Sequence, residues 1–304
     1  MTFDDVETAR KAYYEKIKQE WLYYGIFAGI GTVIFLAIGG GSFFGLFGFL
    51  IFFSMIYLII AVVKNQKVAK AYKMAYKSHF VERNLRSVFT DLNYHHDLGL
   101  NKDILKNTGM INTGDVYASN DFTSGRYKDV AFSQADVHIQ EEHTDSDGNT
   151  TYVTIFKGRF MVFEFKKQFN FKLELVGKKF HAYRVPGKNA TTGRKMEKIS
   201  TESTEFNSAF RIFGEDGFEA YYILDPAFMV KILNIAEQHK RNLILCFHNN
   251  QLIIGLNDGK DSFEPPKVSK PIDEAKEDAK VASDIKTITD FVDQLALDRK
   301  LFKN

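Results

Sequence analysis

The stretch WLYYGIFAGIGTVIFLAIGGGSFFGLFGFLIFFSMIYLIIAVV, residues 21–63, decides the expected fold because it contains no Asp, Glu, Lys, Arg or His. One helix needs about 20 apolar residues to cross a bilayer, and this run is about twice that length. Gly39, Gly40 and Gly41 interrupt the run, and consecutive glycines both weaken a helix and permit a tight reversal. The run therefore predicts a transmembrane helical hairpin with spans at 21–38 and 43–63.

Basic residues beside the run predict its orientation. A predicted basic juxtamembrane helix at 64–90 carries a membrane-surface basic collar of five lysines: Lys64, Lys67, Lys70, Lys73 and Lys77. The N-terminal segment 1–20 also carries basic residues, whereas the loop between the spans is uncharged. The positive-inside rule then places both termini in the cytoplasm and the chain in the cell membrane as a multi-pass protein, with the lipid bilayer as a partner. Trp21, Tyr23 and Tyr24 would lie in the interfacial aromatic belt.

Four glycines within the run are candidate helix-packing residues. Gly25 and Gly29 form one G-x-x-x-G spacing, and Gly41 and Gly45 form another. Small residues four apart let helices approach closely, either within the hairpin or between two copies of the chain. Neither predicted span contains an ionisable residue, which argues against an ion or proton pathway.

The segment 91–265 has the pattern of a cytoplasmic α+β domain. Asp225 and Pro226 predict the start of a helix, as its N-cap and its first residue. Runs of β-branched, aromatic or alternating residues predict strands at 130–143, 151–166, 169–176, 206–213, 218–224, 242–247 and 251–256. We expect an antiparallel sheet with a helix packed across it, followed by a charged amphipathic helical tail at 266–304. The tail could dock on its own domain, on a second copy or on a partner.

Composition and motifs argue against several kinds of site. The 304 residues carry a net charge of +2, whereas nucleic-acid-binding proteins usually present a strongly basic face. His95 and His96 are adjacent and point apart, so this pair rarely chelates a metal alone. Asp145 begins a sequence like a calcium loop, but Thr150 stands where that loop requires glycine. The single cysteine, Cys246, lies in an apolar run and is expected to be buried. The sequence predicts no catalytic, cofactor-binding or metal-binding residue.

Several segments together resemble one family of bacterial membrane proteins. They are FKG at 156–158 with MVFEF at 161–165, EFN at 205–207 followed by Phe210 and Phe213, EAYYILDP at 219–226, FM at 228–229, LII at 252–254 and FE at 263–264. With the N-terminal hairpin, they resemble the proteins grouped as domain of unknown function 3137, over about residues 20–265. The loop at 178–204 and the charged C-terminal helix depart from that resemblance. The resemblance implies a topology and carries no activity with it.

These observations favour binding over catalysis. We expect a membrane-anchored binding or scaffold module at the inner face of a bacterial membrane, with another membrane or cytoplasmic protein, or a second copy, as its partner. A lipid-headgroup-binding domain and an unrecognised membrane-bound enzyme are the alternatives. The enzyme would have to use candidates such as Glu164, Glu205, Glu219, Asp225 and His239. Acidic residues on strands are usually solvated, and Asp225 already serves as a helix cap, so the sequence favours a binding module over an enzyme.

Overall fold

The computed structural model describes residues 1–37, 43–188 and 193–297, and the chain divides into two compact units. The first unit comprises residues 1–83 and 264–279, and the second comprises residues 84–263 together with the C-terminal residues from 280. The interruption expected at Gly39, Gly40 and Gly41 lies outside the described residues. The finer division of the chain expected from the sequence stays a prediction.

Two long helices dominate the first unit: α1 (Phe3–Ala37) and α2 (Phe43–Tyr76). A reciprocal cap begins α1, because the amide of Asp5 donates to Thr2 Oγ1 (3.3 Å) and the amide of Thr2 donates to Asp5 Oδ2 (2.7 Å). The Asp5 carboxylate also suits the positive end of the helix dipole. A π-helical turn, Lys77–Glu82, continues directly from α2.

Residues 264–279 complete the first unit through hydrogen bonds to its helices. The amide of Ile272 donates to Glu7 Oε1 (2.7 Å), and the Tyr76 hydroxyl donates to Glu277 Oε2 (2.7 Å). Tyr76 is fully buried and its ring lies 5.0 Å from that of Phe80. This end of the unit therefore combines apolar packing with paired polar groups.

The structure contradicts the transmembrane hairpin expected at 21–38 and 43–63. Among the described residues, no helix is long and apolar enough to cross a membrane. α1 begins at Phe3 and carries charged residues as far as Glu20, so charged and uncharged turns share one helix. The multi-pass cell-membrane assignment, with both termini cytoplasmic, rested on that hairpin and is corrected with it.

Both helices nevertheless expose large apolar side chains. Examples on α1 are Trp21, Leu22, Ile26, Ile30 and Val33, with exposed fractions from 51% to 66%. Exposed apolar residues also occur on α2, including Ile51, Phe52 and Met55.

Among the described residues, seven strands form one antiparallel sheet in the second unit. They are β1 (Thr90–His95), β2 (Val116–Tyr127), β3 (Val130–Thr144), β4 (Thr150–Gly177), β5 (Glu197–Ile199), β6 (Phe210–Gly214) and β7 (Leu243–Leu256). The order is β1-β2-β3-β4-β6-β5, and β7 pairs with β4. The remaining helices are α3 (Arg83–Val88), α4 (Lys102–Thr108), α5 (Thr204–Ala209), α6 (Gly217–Ile223), α7 (Pro226–Gln238) and α8 (Glu274–Leu295).

The long strand β4 organises this sheet. Its first half pairs with β3, its last residues pair with β6, and β7 follows it through both halves. Register shifts around Phe169 interrupt the β4–β7 ladder. The two ends of β7 lie side by side, because the amide of Asn257 donates to the carbonyl of Asn242 (3.0 Å). Gly158 has φ 155°, and a Cβ there would lie 2.1 Å from the carbonyl oxygen of Leu256. Only glycine fits this close approach without displacing β7.

Phenylalanines and aliphatic residues fill the core of the second unit. Phe156, Phe160 and Phe180 are fully buried in one cluster with residues from α4, β3 and β7. The apolar stripe expected on the C-terminal helix is buried at Val281, Ile285, Ile288, Phe291, Val292 and Leu295. The ring of Phe291 stacks on His239, with centroids 5.6 Å apart. From residue 280 onward, α8 thus belongs to the core of its own chain.

Local signals succeed in one part of this unit and fail in another. The hairpin between 130–143 and 151–166 is confirmed, as is the helix that begins after Asp225. Of the strands predicted at 206–213 and 218–224, the first is confirmed only from residue 210 onward, in β6, and the second is wrong because α6 occupies it. Ser203 Oγ accepts from the Phe206 amide (3.1 Å) and Asp216 Oδ1 accepts from the Phe218 amide (2.8 Å). These two N-caps begin short helices in sequences whose composition favours strands.

Candidate ligand-binding pocket

A cavity of about 470 Å³ lies between α1 and α2 in the first unit. Its volume falls in the range of about 300–1,000 Å³ that is typical of small-molecule sites. The residues that line it are Tyr13, Ile17, Glu20, Trp21, Tyr24, Tyr57, Ala61, Asn65, Gln66 and Ala69. Most of this surface is aromatic or aliphatic, with a few polar groups, as expected of a pocket that binds an organic molecule.

Helical periodicity explains why these residues meet. Positions 13, 17, 20, 21 and 24 recur at threes and fours and therefore share one face of α1. Positions 57, 61, 65 and 69 recur at fours on α2. Ala61 and Ala69 are small, so they leave space opposite the large rings of α1. The cavity is thus a consequence of aromatic residues on one helix facing alanines on the other.

A buried carboxylate forms the polar part of the pocket. Glu20 is 7% exposed, although it stands at the boundary between charged and uncharged sequence. The Tyr57 hydroxyl donates to Glu20 Oε2 (2.8 Å) and to the Glu20 carbonyl oxygen (2.6 Å). Lys16 Nζ lies 3.3 Å from Glu20 Oε1. Burial raises the pKa of Tyr57 to about 12, and the Glu20 carboxylate adds to that rise, so the phenol stays protonated and keeps donating.

Aromatic residues form the walls of the pocket. Trp21 and Tyr24 meet nearly at right angles with centroids 6.0 Å apart, and Tyr24 lies 5.5 Å from Tyr57. The Tyr24 hydroxyl is 2.7 Å from Ser54 Oγ, a hydrogen bond that joins the two helices. Asn65 Oδ1 is buried and accepts no hydrogen bond from any described group. A buried acceptor without a donor is uncommon and marks a place where a ligand or water can donate.

The basic collar expected from the sequence is not one surface. Lys67 and Lys70 are exposed, whereas Lys77 is 1% exposed. Lys73 and Lys77 both contact Glu264 Oε1, at 2.6 Å and 3.1 Å. These two lysines therefore neutralise a carboxylate of their own unit. Lys64 lies in α2, and its side chain is outside the described part of the chain. A contact of Lys67 and Lys70 with a membrane surface stays a prediction.

The glycines expected to pack helices lie in different surroundings. A Cβ added at Gly25 or Gly29 would meet nothing within 4 Å, so α1 does not approach a described neighbour closely there. Gly41 is outside the described residues, and Gly45 lies in α2 without described surroundings. A contact through these glycines to a second copy stays a prediction.

The acidic and histidine candidates for catalysis have separate structural surroundings. Glu164 is exposed on β4 near the Gln251 amide, and Glu205 is exposed in α5. Asp225 Oδ1 caps α7 by accepting from the Phe228 amide (2.8 Å). His239 stacks on Phe291, and burial lowers its pKa. The side chain of Glu219 is not described.

A buried ionic cluster in the second unit was not anticipated. Asp136 Oδ2 accepts from the Ser262 amide (2.8 Å), and its Oδ1 lies 3.8 Å from Arg159 Nε. Burial raises the pKa of Asp136 to about 7; Arg159 opposes the rise, and the carboxylates of Asp121 and Asp261 add to it. The Arg159 guanidinium also donates to the Asp284 carbonyl (2.7 Å), which ties β4 to α8. We interpret this cluster as a structural link between β4 and α8.

Asp121 and Asp261 also offer carboxylate oxygens within 4.8 Å of each other. Both carboxylates accept from the Asn120 amide, at 2.7 Å and 3.3 Å. Their hydrogen bonds favour a structural role.

A second buried pair lies where β4 meets β7. Lys172 Nζ contacts Glu174 Oε1 at 2.5 Å and also donates to the carbonyl of Thr108 at the end of α4. Glu174 is fully buried, and burial raises its pKa. Cys246 pairs with Glu174 across the strands, and burial likewise raises the pKa of its thiol. A buried, protonated thiol is a poor nucleophile, so this group is structural.

The pocket residues were visible in the sequence but were interpreted differently. Trp21 and Tyr24 were assigned to an interfacial belt, and Glu20 was treated as the end of a polar segment. The signal that could have found the pocket is the helical spacing of Tyr13, Glu20 and Tyr24 opposite a row with alanines on α2.

Comparisons with known proteins confirm the family resemblance. Residues 154–297 match the family described as "Protein of unknown function (DUF3137)". The match begins well after the expected residue 20 and extends through α8, which had been set apart from the family. No curated protein matches the chain. Among solved structures, the crystal structure of the mycobacterial trehalose monomycolate transport factor A, TtfA, matches 73% of this chain and 93% of its own, at 12% identity and a TM-score of 0.38. A likeness at this level supports no transfer of fold or function.

Proposed function

We propose that this chain is a binding module that holds a small amphiphilic organic molecule in the pocket between α1 and α2. The observation that carries the proposal is a cavity of about 470 Å³ with aromatic walls and a 7%-exposed carboxylate, Glu20. A concave, mostly apolar site with few directed polar groups is the usual form of a small-molecule site.

The polar groups of the pocket suit recognition better than catalysis. Of the ten described residues that line it, none is His, Cys, Ser, Thr, Lys or Arg. General acid–base catalysis works best with a group whose pKa lies near the operating pH. The pKa of Tyr57 lies far above that range, and its proton is committed to Glu20. Besides the tyrosine hydroxyls and the Trp21 indole, the lining offers the amides of Asn65 and Gln66, which donate and accept hydrogen bonds without titrating.

The arrangement favours an amphiphile over a wholly apolar ligand. Ile17, Ala61 and Ala69 offer apolar contact on both helices. The unsatisfied Asn65 Oδ1 would lose hydration against an apolar ligand that does not pair with it. Because burying such groups without partners costs free energy, a ligand with one polar end fits better.

The experiment uses the single tryptophan of the chain, which lines the pocket. Trp21 is 65% exposed, so a ligand that covers it changes its fluorescence. The purified full chain is titrated with choline and with dimethylbutanol, an uncharged isostere in which carbon replaces the choline nitrogen. We expect a saturable change with at least one of them. Ala61→Phe places a ring in the cavity and should abolish this fluorescence change.

A matched control separates occupancy from general perturbation. Ala71→Phe also adds a ring to α2, at an exposed position outside the pocket lining. We expect this variant to keep the saturable change. If neither ligand gives a saturable change, or if Ala61→Phe leaves the response intact, the pocket is not a binding site.

A further inference from the structure

We infer that the ligand of the pocket carries a quaternary ammonium group, held by the rings of Trp21, Tyr24 and Tyr57 beside Glu20. This inference rests on the proposed binding function and adds the chemical class of the ligand. It combines three features of the site: aromatic residues that line the cavity, a buried carboxylate, and no positively charged residue among the described lining.

Aromatic faces attract cations. The π-system of Trp or Tyr is negative above its face, and a cation within about 6 Å of a ring centroid is stabilised, most strongly over Trp. Trp21 and Tyr24 stand nearly perpendicular at 6.0 Å, and Tyr24 and Tyr57 lie 5.5 Å apart with an interplanar angle of 49°. Rings inclined to one another at these distances form a concave wall rather than a flat stack.

The Glu20 carboxylate supplies a negative charge opposite the cationic group of the ligand. Glu20 Oε2 accepts from Tyr57 and Oε1 contacts Lys16, so the negative charge of Glu20 lies beside the aromatic residues of the pocket. Lys16 is the cation that now neutralises Glu20. Its side chain is 33% exposed, and it is not among the residues that line the pocket. Partly exposed pairs of this kind are weak, so an organic cation can displace Lys16 toward solvent.

The site favours a methylated over a primary ammonium. A primary ammonium has three N–H donors and is strongly hydrated, so it loses most when ring faces replace water. A trimethylammonium group has no donor to satisfy and presents methyl groups to the rings. Asn65 Oδ1 remains for a hydroxyl or another donor elsewhere on the ligand. Choline, with one hydroxyl and one trimethylammonium group, is therefore a suitable probe.

The test compares ligands of one shape and different charge by the fluorescence of Trp21. We expect choline to bind about tenfold more tightly than dimethylbutanol, and more tightly than the primary amine ethanolamine. Phosphocholine is included because the trimethylammonium group occurs both in free solutes and in lipid headgroups. Tighter binding of phosphocholine than of choline identifies a headgroup as the source, and the reverse identifies a free solute; either order supports the inference.

Two substitutions should change the affinity for choline in opposite directions. Glu20→Gln should weaken choline about tenfold and leave dimethylbutanol unchanged, because only the charge is removed. Lys16→Gln should strengthen choline about threefold, because it removes the competing cation. Glu15→Gln is the matched control, since Glu15 is exposed on α1 and pairs with Lys18 at 3.1 Å outside the pocket. We expect it to change nothing.

Two results would overturn the inference. One is dimethylbutanol binding as tightly as choline, which would leave the proposed binding function standing without its cation. The other is Lys16→Gln weakening choline or leaving it unchanged while the variant folds normally by circular dichroism. Absence of binding by all four ligands would instead remove the proposed function itself.

Discussion

Replacing Asp136 by Asn should flatten the pH dependence of stability. The Asp136 carboxyl is 3% exposed, and its pKa is raised from 3.8 to about 7 by burial, despite Arg159. In the unfolded chain the pKa returns to its ordinary value. Between the two values the folded state binds the extra proton, so the free energy of unfolding falls as pH rises. The Asp136 contribution is intact below about pH 4 and lost once the pH passes about 7.

The size of the effect follows from the two pKa values. One pKa unit corresponds to about 1.4 kcal/mol, so from about pH 5.5 to about pH 8 the Asp136 contribution falls by about 2 kcal/mol. Asp136→Asn removes the titrating group while keeping an acceptor for the Ser262 amide. The groups that face it, Arg159, Asp121 and Asp261, stay in place. The variant should therefore gain about 2 kcal/mol relative to wild type over this interval.

The assay is urea unfolding of the full chain at both pH values, followed by circular dichroism of the sheet. His239 and His248, whose pKa values burial lowers, are present in both proteins, so the effects of their titration cancel in the comparison. Asp145→Asn is the control, because the backbone hydrogen bond from Asn149 lowers the pKa of Asp145 and keeps its titration below this interval. Equal pH dependence in wild type and Asp136→Asn would refute the reasoning.

Two further changes test the packing of the second unit by urea unfolding. Lys172→Met leaves the fully buried Glu174 without its cation and should lower the free energy of unfolding by about 3–5 kcal/mol. The double variant Lys172→Met with Glu174→Leu should recover most of this loss. If it does not, the broken ion pair is not the cause of the destabilisation. Gly158→Ala should lower the free energy of unfolding by about 3 kcal/mol, because its Cβ meets the Leu256 carbonyl at 2.1 Å. The control Gly109→Ala, with φ 64° and open space around it, should lower it by about 1 kcal/mol. Equal losses in the two variants would contradict the steric explanation.

Local signals in the sequence predicted those elements that local interactions define. The β3–β4 hairpin follows from alternating residues around a turn, which Asp145 closes by accepting from the Asp147 and Asn149 amides. The start of α7 follows from Asp225 and Pro226. Each of these depends on a few adjacent residues, so no knowledge of the rest of the fold is needed.

The failures have identifiable physical reasons. The stretch 206–224 has the aromatic composition of strands, but the caps at Ser203 and Asp216 satisfy amides that begin α5 and α6. The uncharged run at 21–63 predicts two spans, 21–38 and 43–63, whereas α1 extends back to Phe3 and joins charged and uncharged turns in one helix. Composition alone does not show at which residue a helix begins.

The candidate site could be predicted only in part. The spacing of aromatic residues on α1 and of alanines on α2 is present in the sequence, but the cavity exists only because these two faces meet. Neither the contact of Tyr57 with Glu20, 37 positions away in the chain, nor the unsatisfied oxygen of Asn65 has a local sequence signal. The same holds for Asp136 and Arg159, which β3 and β4 bring together across the sheet.

The most direct test of the pocket is equilibrium dialysis of radiolabelled choline against the full chain. Wild type should bind one choline per chain, and unlabelled choline should displace it. Ala61→Phe, with the cavity filled, should retain no bound label above the buffer level. An Ala61→Phe variant that binds as much label as wild type would contradict the assignment of this pocket as the ligand site, and a wild-type chain that binds no label would contradict the inferred quaternary ammonium ligand.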